Sequence, residues 1–295
     1  MQKLIYTLII LGGFLSTNHI EAQGFGSIFR AGLNFGTMLG PVEGSSNGDY
    51  EKLGYTTGFH IGVGARYHFD YLKKYGIGME GNYSQKGATI NYDGPSFYVF
   101  RNTSGATVTS IGTRKSNITV SQTHIDIPLY AYAKITKGLE ISGGVYGSFL
   151  VGSKGSGDLT FSGTNPVVNE FTVQLNHNYI KDQLLDYTLP LQGDFINIPI
   201  AAQQYQLPTA LGAYTENGTR DGNLYKIFDF GLIGGFSIYL NEGLYLGVRA
   251  QYGLSNLVNN NMKLQYSAPG TDNKAVLSPD KRTNLTFQAS VGFSF

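Results

Sequence analysis

The stretch GYTTGFHIGVGARYHF, residues 54–69, decides the fold of this chain. Its odd-numbered residues, from Tyr55 to Phe69, are mostly apolar, whereas the even-numbered ones are small, polar or charged. Successive side chains of a β-strand point to opposite faces, so the stretch predicts a strand with one apolar and one polar face. An apolar face turned inward would make a soluble β domain. An apolar face turned outward would make a membrane protein with a polar interior.

The same alternation recurs in seven other segments, and the fold class is therefore predicted to be all-β. Each segment is long enough for a tilted strand of about nine to eleven residues to cross the hydrocarbon layer. We predict an eight-stranded antiparallel transmembrane β-barrel whose strands lie in residues 27–38, 54–69, 75–86, 122–135, 139–151, 226–240, 244–254 and 284–295.

The connections between these segments alternate between short and long. Tight turns are predicted at residues 70–74, 136–138 and 241–243. The other connections are long and rich in Gly, Asn, Ser and Thr, and they cover residues 39–53, 87–121, 152–225 and 255–283. Outer-membrane barrels have short periplasmic turns and long external loops. The layout therefore predicts a cell outer membrane protein of a Gram-negative bacterium, with both termini in the periplasm.

The composition agrees with a membrane barrel. Charged residues make up 14% of the 295 residues, against about a quarter in a typical soluble domain. There are 40 glycines, 21 tyrosines, 18 phenylalanines and no cysteine, so neither disulfides nor thiolate metal sites hold the chain together. A net charge of +1 without a basic run argues against nucleic acid as a partner. Gly, Ser and Asn dominate the polar face and suit a crowded interior.

The N-terminus has the pattern of a signal peptide. Lys3 supplies a positive charge, residues 4–15 form an apolar run too short to cross a bilayer, and Ala22 offers a cleavage site. We predict a signal peptide over residues 1–22 and the barrel domain over residues 23–295. The sequence has no other apolar run of transmembrane-helix length.

The long connection at about residues 152–224 leaves an alternative open. Residues 170–177 and 195–203 each alternate like a strand. If both crossed the membrane, with residues 181–194 as a long periplasmic turn, the barrel would have ten strands. Otherwise this connection is an external loop, either a hairpin above the membrane or a lid over the mouth.

Charged residues on the polar face predict a network inside the barrel. An eight-stranded barrel is just wide enough for side chains to fill, so charges there must pair or cost several kcal/mol each. Register counting from the first turn predicts an Arg66–Glu80 pair, and Lys134 is expected to face Glu140. The predicted network comprises Arg30, Arg66, Glu80, Asp126, Lys134, Glu140, Asp229 and Arg249.

The sequence offers no convincing catalytic, metal or cofactor site. His124 and Asp126 share one face of a strand and Ser121 is close in sequence, but same-face neighbours along a strand are about 7 Å apart. That spacing is too long for the hydrogen bonds of a catalytic triad. His60 and His68 are too far apart on their strand to share a metal ion. We therefore expect a protein that is not an enzyme and has no cofactor.

The strand segments resemble the PorT-type outer-membrane β-barrel protein family of Gram-negative bacteria. The resemblance covers the eight strands and not the loops, and it implies an eight-stranded barrel with a part in type IX protein secretion. An aromatic C-terminus containing Phe293 and Phe295 resembles the signal that the outer-membrane assembly machinery recognises. The motifs are EGNYSQKGA (80–88), IDIPLYAY (125–132), FDFGLIGG (228–235), RAQYGLSNL (249–257) and GFSF at the end.

These observations predict a non-enzymatic structural or interaction component of the cell envelope. Its expected partners are outer-membrane lipid, the assembly machinery during biogenesis, and other envelope or secretion proteins. The alternative function is a narrow porin-like channel for small solutes. A channel would require the interior charges to line water instead of pairing.

Overall fold

The computed structural model describes residues 24–102, 104, 106–180, 194–217, 222–259, 262, 264–270, 276–277 and 281–295. The predicted signal peptide, residues 1–22, lies outside the described residues, as do residues 181–193 of the turn required by the ten-strand alternative. No helix among the described residues is long and apolar enough to cross a membrane.

The described residues form seventeen strands and one short helix, and strands dominate throughout. In chain order they are β1 (Phe25–Leu39), β2 (Gly44–Ser45), β3 (Gly48–Asp49), β4 (Glu51–Gly54), β5 (Thr56–His68), β6 (Tyr75–Arg101), β7 (Thr107–Lys134), β8 (Leu139–Asn165), β9 (Val167–Asn178), β10 (Phe195–Ile200), β11 (Gln203–Pro208), β12 (Ala210–Leu211), α1 (Ala213–Asn217), β13 (Phe228–Tyr239), β14 (Leu244–Gly253), β15 (Leu264–Gln265), β16 (Val276–Leu277) and β17 (Thr283–Ser294).

Eight of these strands form a closed ring of antiparallel pairs, which we call the ring. The order runs from β1 through β5, β6, β7, β8, β13 and β14 to β17. The ring closes because β17 pairs with β1, with Ile28 opposite Ser294. Each of the eight alternating sequence segments contributes one strand to it.

The segments that the ten-strand alternative needed lie outside the ring. β9 pairs with residues 154–164 of β8, beyond the ring, and makes a short parallel pairing with β12. β10 pairs with β11 in a separate two-stranded sheet. Neither segment runs alongside the ring strands as an additional member.

In the stretch 54–69, the apolar face of the strand points out of the ring and the polar face points into it. On β5, the apolar Phe59 and Ile61 are each 45% exposed on the outside, whereas His60 and Arg66 are each 1% exposed on the inside. The other ring strands repeat this arrangement, with exposed Val, Leu, Ile and Phe outside and buried polar residues inside. The ring therefore has an apolar exterior and a polar interior.

Three neighbouring strands continue far beyond the ring. β6, β7 and β8 are 27, 28 and 27 residues long, and they stay paired almost to their tips. Residues 87–121 are thus a long hairpin and not the predicted loop. The connection predicted at about 152–224 contains the outer part of β8 and all of β9 to β12 and α1. Its first part is a hairpin of β8 and β9, and a hairpin was one of the two forms expected for this connection.

We call this outer region the extension; it comprises residues 87–101, 107–121 and 152–165 together with β9–β12 and α1. Its polarity is opposite to that of the ring, because apolar residues are inside and polar ones outside. The hairpin of β10 and β11 and the helix α1 cover the inner side of the extended sheet, with β10 against β9 and β11 against β6. The resulting core includes Phe100, Ile118, Leu159, Phe161, Phe171, Val173, Ile198, Ile200, Tyr205 and Leu207.

A β-bulge marks the border between the two regions. The pairing of β7 with β8 shifts between Thr123 and His124, which leaves Val151 of β8 without a direct partner. One extra residue in a strand reverses which sequence parity faces inward. Before the bulge Ser148 and Leu150 are buried, and after it Leu159 and Phe161 are buried.

Candidate functional site

Glu80 of β6 is the centre of the charged interior. Arg249 of β14 donates to both carboxylate oxygens of Glu80, at 3.0 and 2.9 Å. The Nε of Arg30 on β1 lies 3.0 Å from Glu80 Oε2, and the Tyr130 hydroxyl donates to Oε1 at 2.6 Å. Arg30 also donates to the hydroxyl of Tyr245 at 3.1 Å. One carboxylate therefore connects three strands of the ring through two arginines.

A second pair joins opposite sides of the interior. Arg66 of β5 donates to both carboxylate oxygens of Glu140 on β8, each at 2.9 Å. Tyr239 completes the group, because its hydroxyl accepts from Arg66 at 2.9 Å and donates to Glu140 at 3.0 Å. The predicted Arg66–Glu80 pair was wrong. The register of β5 and β6 places Arg66 diagonally opposite Glu80, but the Arg66 side chain extends across the interior to Glu140 instead.

The third group contains a lysine that the sequence interpretation missed. Lys86 lies 2.8 Å from Asp126 Oδ2 and donates to Oδ1 at 2.9 Å. The Ser148 hydroxyl donates to the same Oδ1 at 2.6 Å. Lys86 shares the inward parity of Glu80 and is the last residue of the predicted strand 75–86, so the same parity would have found it.

The remaining two predicted charges have other surroundings. Asp229 accepts hydrogen bonds from Tyr146 at 3.1 Å and from Ser255. Lys134 is the cross-strand partner of Glu140 in register, as predicted. Its ammonium lies 4.7 Å from the centre of the Tyr239 ring, a cation–π distance. All eight predicted residues thus lie on the inner side of the ring.

Tyrosine rings fill the space between the charged groups, and two glycines make room for them. A Cβ on Gly78 would lie 2.6 Å from the ring of Tyr130, and one on Gly292 would lie 2.3 Å from the ring of Tyr245. Both distances are shorter than side chains tolerate. The high content of Gly and Tyr therefore follows from this packing of rings over glycines on adjacent strands.

The fully buried charges inside the ring balance. Four cations, Arg30, Arg66, Lys86 and Arg249, and four carboxylates, Glu80, Asp126, Glu140 and Asp229, are each at most 4% exposed. Pairing and hydrogen bonding of such groups is required because an unpaired buried charge is strongly unfavourable. This arrangement fills the interior with ion pairs and phenol rings.

The interior also brings a serine, a histidine and an aspartate together. The Nδ1 of His124 is 2.9 Å from Ser148 Oγ, which in turn donates to Asp126. In a hydrolytic triad the histidine stands between the serine and the acid. Here the serine occupies the middle, and all three side chains are at most 2% exposed. The order of contacts is that of a structural hydrogen-bond chain.

The extension contains a second polar cluster, around a cavity of about 80 Å³. Glu216 of α1 pairs with Arg114 of β7, and His177 Nε2 of β9 lies 2.9 Å from its other oxygen. The Tyr266 ring lies 3.9 Å from the Arg114 guanidinium carbon. Sequence reasoning missed this cluster because its residues lie in three different long connections, which were not predicted to meet.

The electrostatics of this cluster fix the charge of Glu216. Burial by itself would raise the pKa of Glu216, but the charge of Arg114 and the hydrogen bond from His177 outweigh burial. The pKa of Glu216 is therefore held well below its usual range. Through this carboxylate, α1 is tied to two strands of the extension.

Another ion pair on the cavity wall joins two segments beside the extension, one of which, β4, pairs with residues 89–92 of β6. Arg282 pairs with Glu51 of β4. Glu43 accepts from the backbone N–H groups of Tyr266 at 3.0 Å and Ser267 at 2.8 Å. In the part of the chain that the structure describes, no group of three or more His, Cys, Asp or Glu residues is placed to hold a metal ion.

The aromatic C-terminus lies on the outside of the ring. Phe293 and Phe295 are 42% and 71% exposed, and their rings stack with centroids 6.4 Å apart. Phe293 is paired with Phe29 on one side and Leu244 on the other. The two phenylalanines therefore extend the apolar exterior to the end that carries the short turns.

Comparison with solved structures returned outer-membrane proteins. The chain is similar to Ail, the attachment invasion locus protein of Yersinia pestis, with 9% identity, 92% of this chain and 99% of that chain covered, and a TM-score of 0.33. It is similar to Neisserial surface protein A, with 10% identity, 92% and 98% covered, and a TM-score of 0.34. It is also similar to OprG from Pseudomonas aeruginosa, with 13% identity, 92% and 96% covered, and a TM-score of 0.34.

At these TM-scores the similarities carry no argument about function. A comparison with curated proteins gave no match. The family comparison is decisive, because residues 21–259 match the outer membrane protein beta-barrel domain. That match covers most of the chain and agrees with the closed strand ring, its apolar exterior and its polar interior. The chain belongs to the outer membrane protein beta-barrel domain family and is an outer-membrane β-barrel protein of the Gram-negative type.

Proposed function

We propose that this protein is an eight-stranded barrel closed to solutes, which holds a rigid β extension outside the cell for binding other envelope components. The proposal includes that the protein is not an enzyme and takes no cofactor. Its main support is the balanced, buried set of ion pairs across the interior, centred on Glu80 with Arg30 and Arg249.

A conducting path needs a column of water through the interior of the ring. The ion pairs occupy that space and would have to separate to admit water. Separating Arg66 from Glu140 breaks two hydrogen bonds of 2.9 Å and the contacts of both groups with Tyr239. A buried charge that loses its partner costs about 3–5 kcal/mol. Opening would require several such separations together, so the closed arrangement is strongly favoured.

Planar-bilayer recordings of the purified protein test this function. We expect no steady conductance steps in wild type. Steps that change in size or disappear in an Arg249→Gln variant would instead establish the narrow channel as the function. A known porin inserted from the same detergent serves as the positive control for the bilayer.

The orientation belongs to the same proposal. We place both termini and the three short turns in the periplasm and the extension outside, as in other outer-membrane barrels. The chain contains no native cysteine, so single cysteines report cleanly. A Thr160→Cys variant in the extension should react with a membrane-impermeant maleimide on intact cells, whereas Lys137→Cys in a short turn should react only after the outer membrane is opened. The reverse pattern would invert the orientation.

We propose two kinds of protein partner, secretion components and the outer-membrane assembly machinery. Similarity to PorT-type barrels suggests an accessory role in type IX protein secretion, and the exposed Phe293 and Phe295 suit recognition by the outer-membrane assembly machinery. Mass spectrometry of the native protein isolated in mild detergent tests the first of these. A stoichiometric secretion component that is lost when residues 87–121 are shortened supports it, and a barrel isolated alone contradicts it.

A further inference from the structure

The outward apolar rows of three ring strands end in a lysine. On β8 the last apolar residue is Val151, which is 56% exposed, and the next outward side chain is Lys154. The outward row that ends at Phe228 of β13 continues to the exposed Lys226, and the row of β17 continues beyond Thr283 to the exposed Lys281. All three lysines are at the end of the ring that carries the extension.

The backbone connects these positions directly. The N–H of Leu150 donates to the carbonyl of Ile227 at 2.7 Å, which brings Lys226 level with the end of the apolar row on β8. Lys226 N–H donates to Leu257 at 2.7 Å, and Leu257 N–H donates to Arg282 at 2.8 Å. Lys226 and Lys281 are therefore about two strand spacings apart, or about 10 Å.

The three lysines lie on one side of the ring. They follow β8, β13 and β17, and Lys281 also donates to the carbonyl of Leu254, which follows β14, at 2.7 Å. On the opposite side, the uncharged Gln85 of β6 and Thr123 of β7 follow the apolar rows, and the exposed lysine nearest to them is Lys52 of β4. None of these three lysines forms a salt bridge with another described residue.

We propose that Lys154, Lys226 and Lys281 form a binding surface for the headgroup phosphates of a lipid in the outer leaflet. The inference rests on the proposed orientation, which puts this end of the ring outside. The apolar rows accept acyl chains, and the lysines stand where those chains meet the headgroup. Lysine keeps its stem on apolar surface while the ammonium reaches the polar layer. Each lysine near a membrane surface adds electrostatic attraction for anionic lipid.

The spacing favours a lipid with more than one phosphate. The bases of Lys226 and Lys281 are about 10 Å apart, and Lys154 is three residues, or about 10 Å, beyond Val151 along β8. The three side chains therefore divide between two phosphates more readily than they converge on one. A phosphorylated glycolipid therefore fits better than a zwitterionic phospholipid, whose choline or ethanolamine would meet the same lysines with like charge. Lysine binds phosphate as a point charge, so the surface recognises charge more than fine geometry.

Native mass spectrometry of the folded protein in neutral detergent tests the proposal with diphosphoryl lipid A as the probe. We expect wild type to retain lipid A, and the triple variant Lys154→Gln, Lys226→Gln, Lys281→Gln to bind it at least about tenfold more weakly. The matched control replaces Lys73, Lys74 and Lys137, three exposed lysines of the short turns, with Gln and should bind like wild type.

The other arms separate the sources of the effect. Dephosphorylated lipid A should bind both wild type and the triple variant equally weakly, and inorganic phosphate at millimolar concentration should not displace lipid A. Equal binding by wild type and the triple variant would overturn the proposal, as would an equal loss in the control variant. A failure of the closed-barrel function would show in the bilayer recordings, and a reversed orientation would show in the maleimide labelling. Neither outcome depends on lipid A binding.

Discussion

The strands β6, β7 and β8 run through both the ring and the extension. Their apolar side faces outward in the ring and inward in the extension. Along β7, the outward residues Ile125 and Ile127 are apolar in the ring, whereas Lys115 and Asn117 take the same outward row in the extension. The inward row changes in the other sense, from the charged Asp126 in the ring to the apolar Ile118 in the extension. The backbone pairing continues through both regions, with one bulge at their border and a second irregularity at Ile111 and Gly112 near the tip of β7.

The surroundings of a strand, and not its geometry, therefore set which of its faces must be apolar. In the membrane the apolar exterior meets lipid, so the ring draws little stability from apolar burial and depends on closed backbone hydrogen bonding and paired charges. The extension is surrounded by water and is stabilised by burying an apolar core. Substitutions should therefore act by different mechanisms in the two regions.

The largest effect is expected at the centre of the ring. Replacing Glu80 with Gln leaves Arg30 and Arg249 buried without their carboxylate, which should lower the free energy of unfolding by about 3–5 kcal/mol. Urea unfolding followed by the heat-dependent shift in gel mobility measures this. Asp93→Asn is the control, because Asp93 is exposed and 3.9 Å from Lys115, and should change little. A loss below about 1 kcal/mol in Glu80→Gln would mean that the ion pairs do not hold the ring together.

Two single variants, each with a new lysine on the outward row of β7, test whether the ring and the extension have different exteriors. Ile127→Lys places a charge on the lipid-facing side of the ring and should cost about 2–4 kcal/mol. Asn117→Lys places the same charge on the water-facing side of the extension and should cost less than about 0.5 kcal/mol. Unfolding from lipid vesicles measures both. Equal costs would remove the distinction between the two exteriors.

Acid should weaken the extension through Glu216. Its pKa is lower in the folded chain than in the unfolded one, so the stability it contributes is complete above the usual value of about 4.5 and declines as the pH falls further. Glu216→Gln should cost about 1–3 kcal/mol at neutral pH and flatten that decline. Near-ultraviolet circular dichroism of the tyrosines follows it. An unchanged pH profile in the variant would assign the acid sensitivity to other groups.

The smallest effect is expected from removing one methylene group, by an Ile→Val substitution, in each of the two regions. Ile200→Val in the core of the extension leaves a small cavity and should cost about 0.5–1.5 kcal/mol. Ile141→Val on the exterior of the ring leaves no cavity, since lipid fills the space, and should cost less than about 0.5 kcal/mol. Hydrogen exchange of the amides in each region detects the difference. A larger loss at Ile141 would show that the ring exterior is packed like a protein core.

Much of the ring could be predicted from the sequence, because its signal is local. Each ring strand alternates with period two, and each short turn is adjacent in sequence to the strands it joins. The eight predicted charges were found by the same parity. The extension was missed because Gly94 and Pro95 interrupt the alternating sequence pattern of β6, and because the bulge at Val151 changes the parity of β8. A sequence pattern with apolar residues at every second position is broken at both places, so the predicted strands ended there.

The sequence by itself determined which segments form the ring, which side of each strand is apolar, and which charges point inward, because all three depend on residues two apart. Only the tertiary structure decided that Arg66 meets Glu140 and that Glu80 gathers Arg30 and Arg249. Those partners are on strands that are not neighbours, and strand tilt and stagger around the ring decide which of them share a level. The reversed polarity of the extension was likewise decided by tertiary packing, since the apolar face of β10 and β11 becomes a core only when it covers β6 and β9.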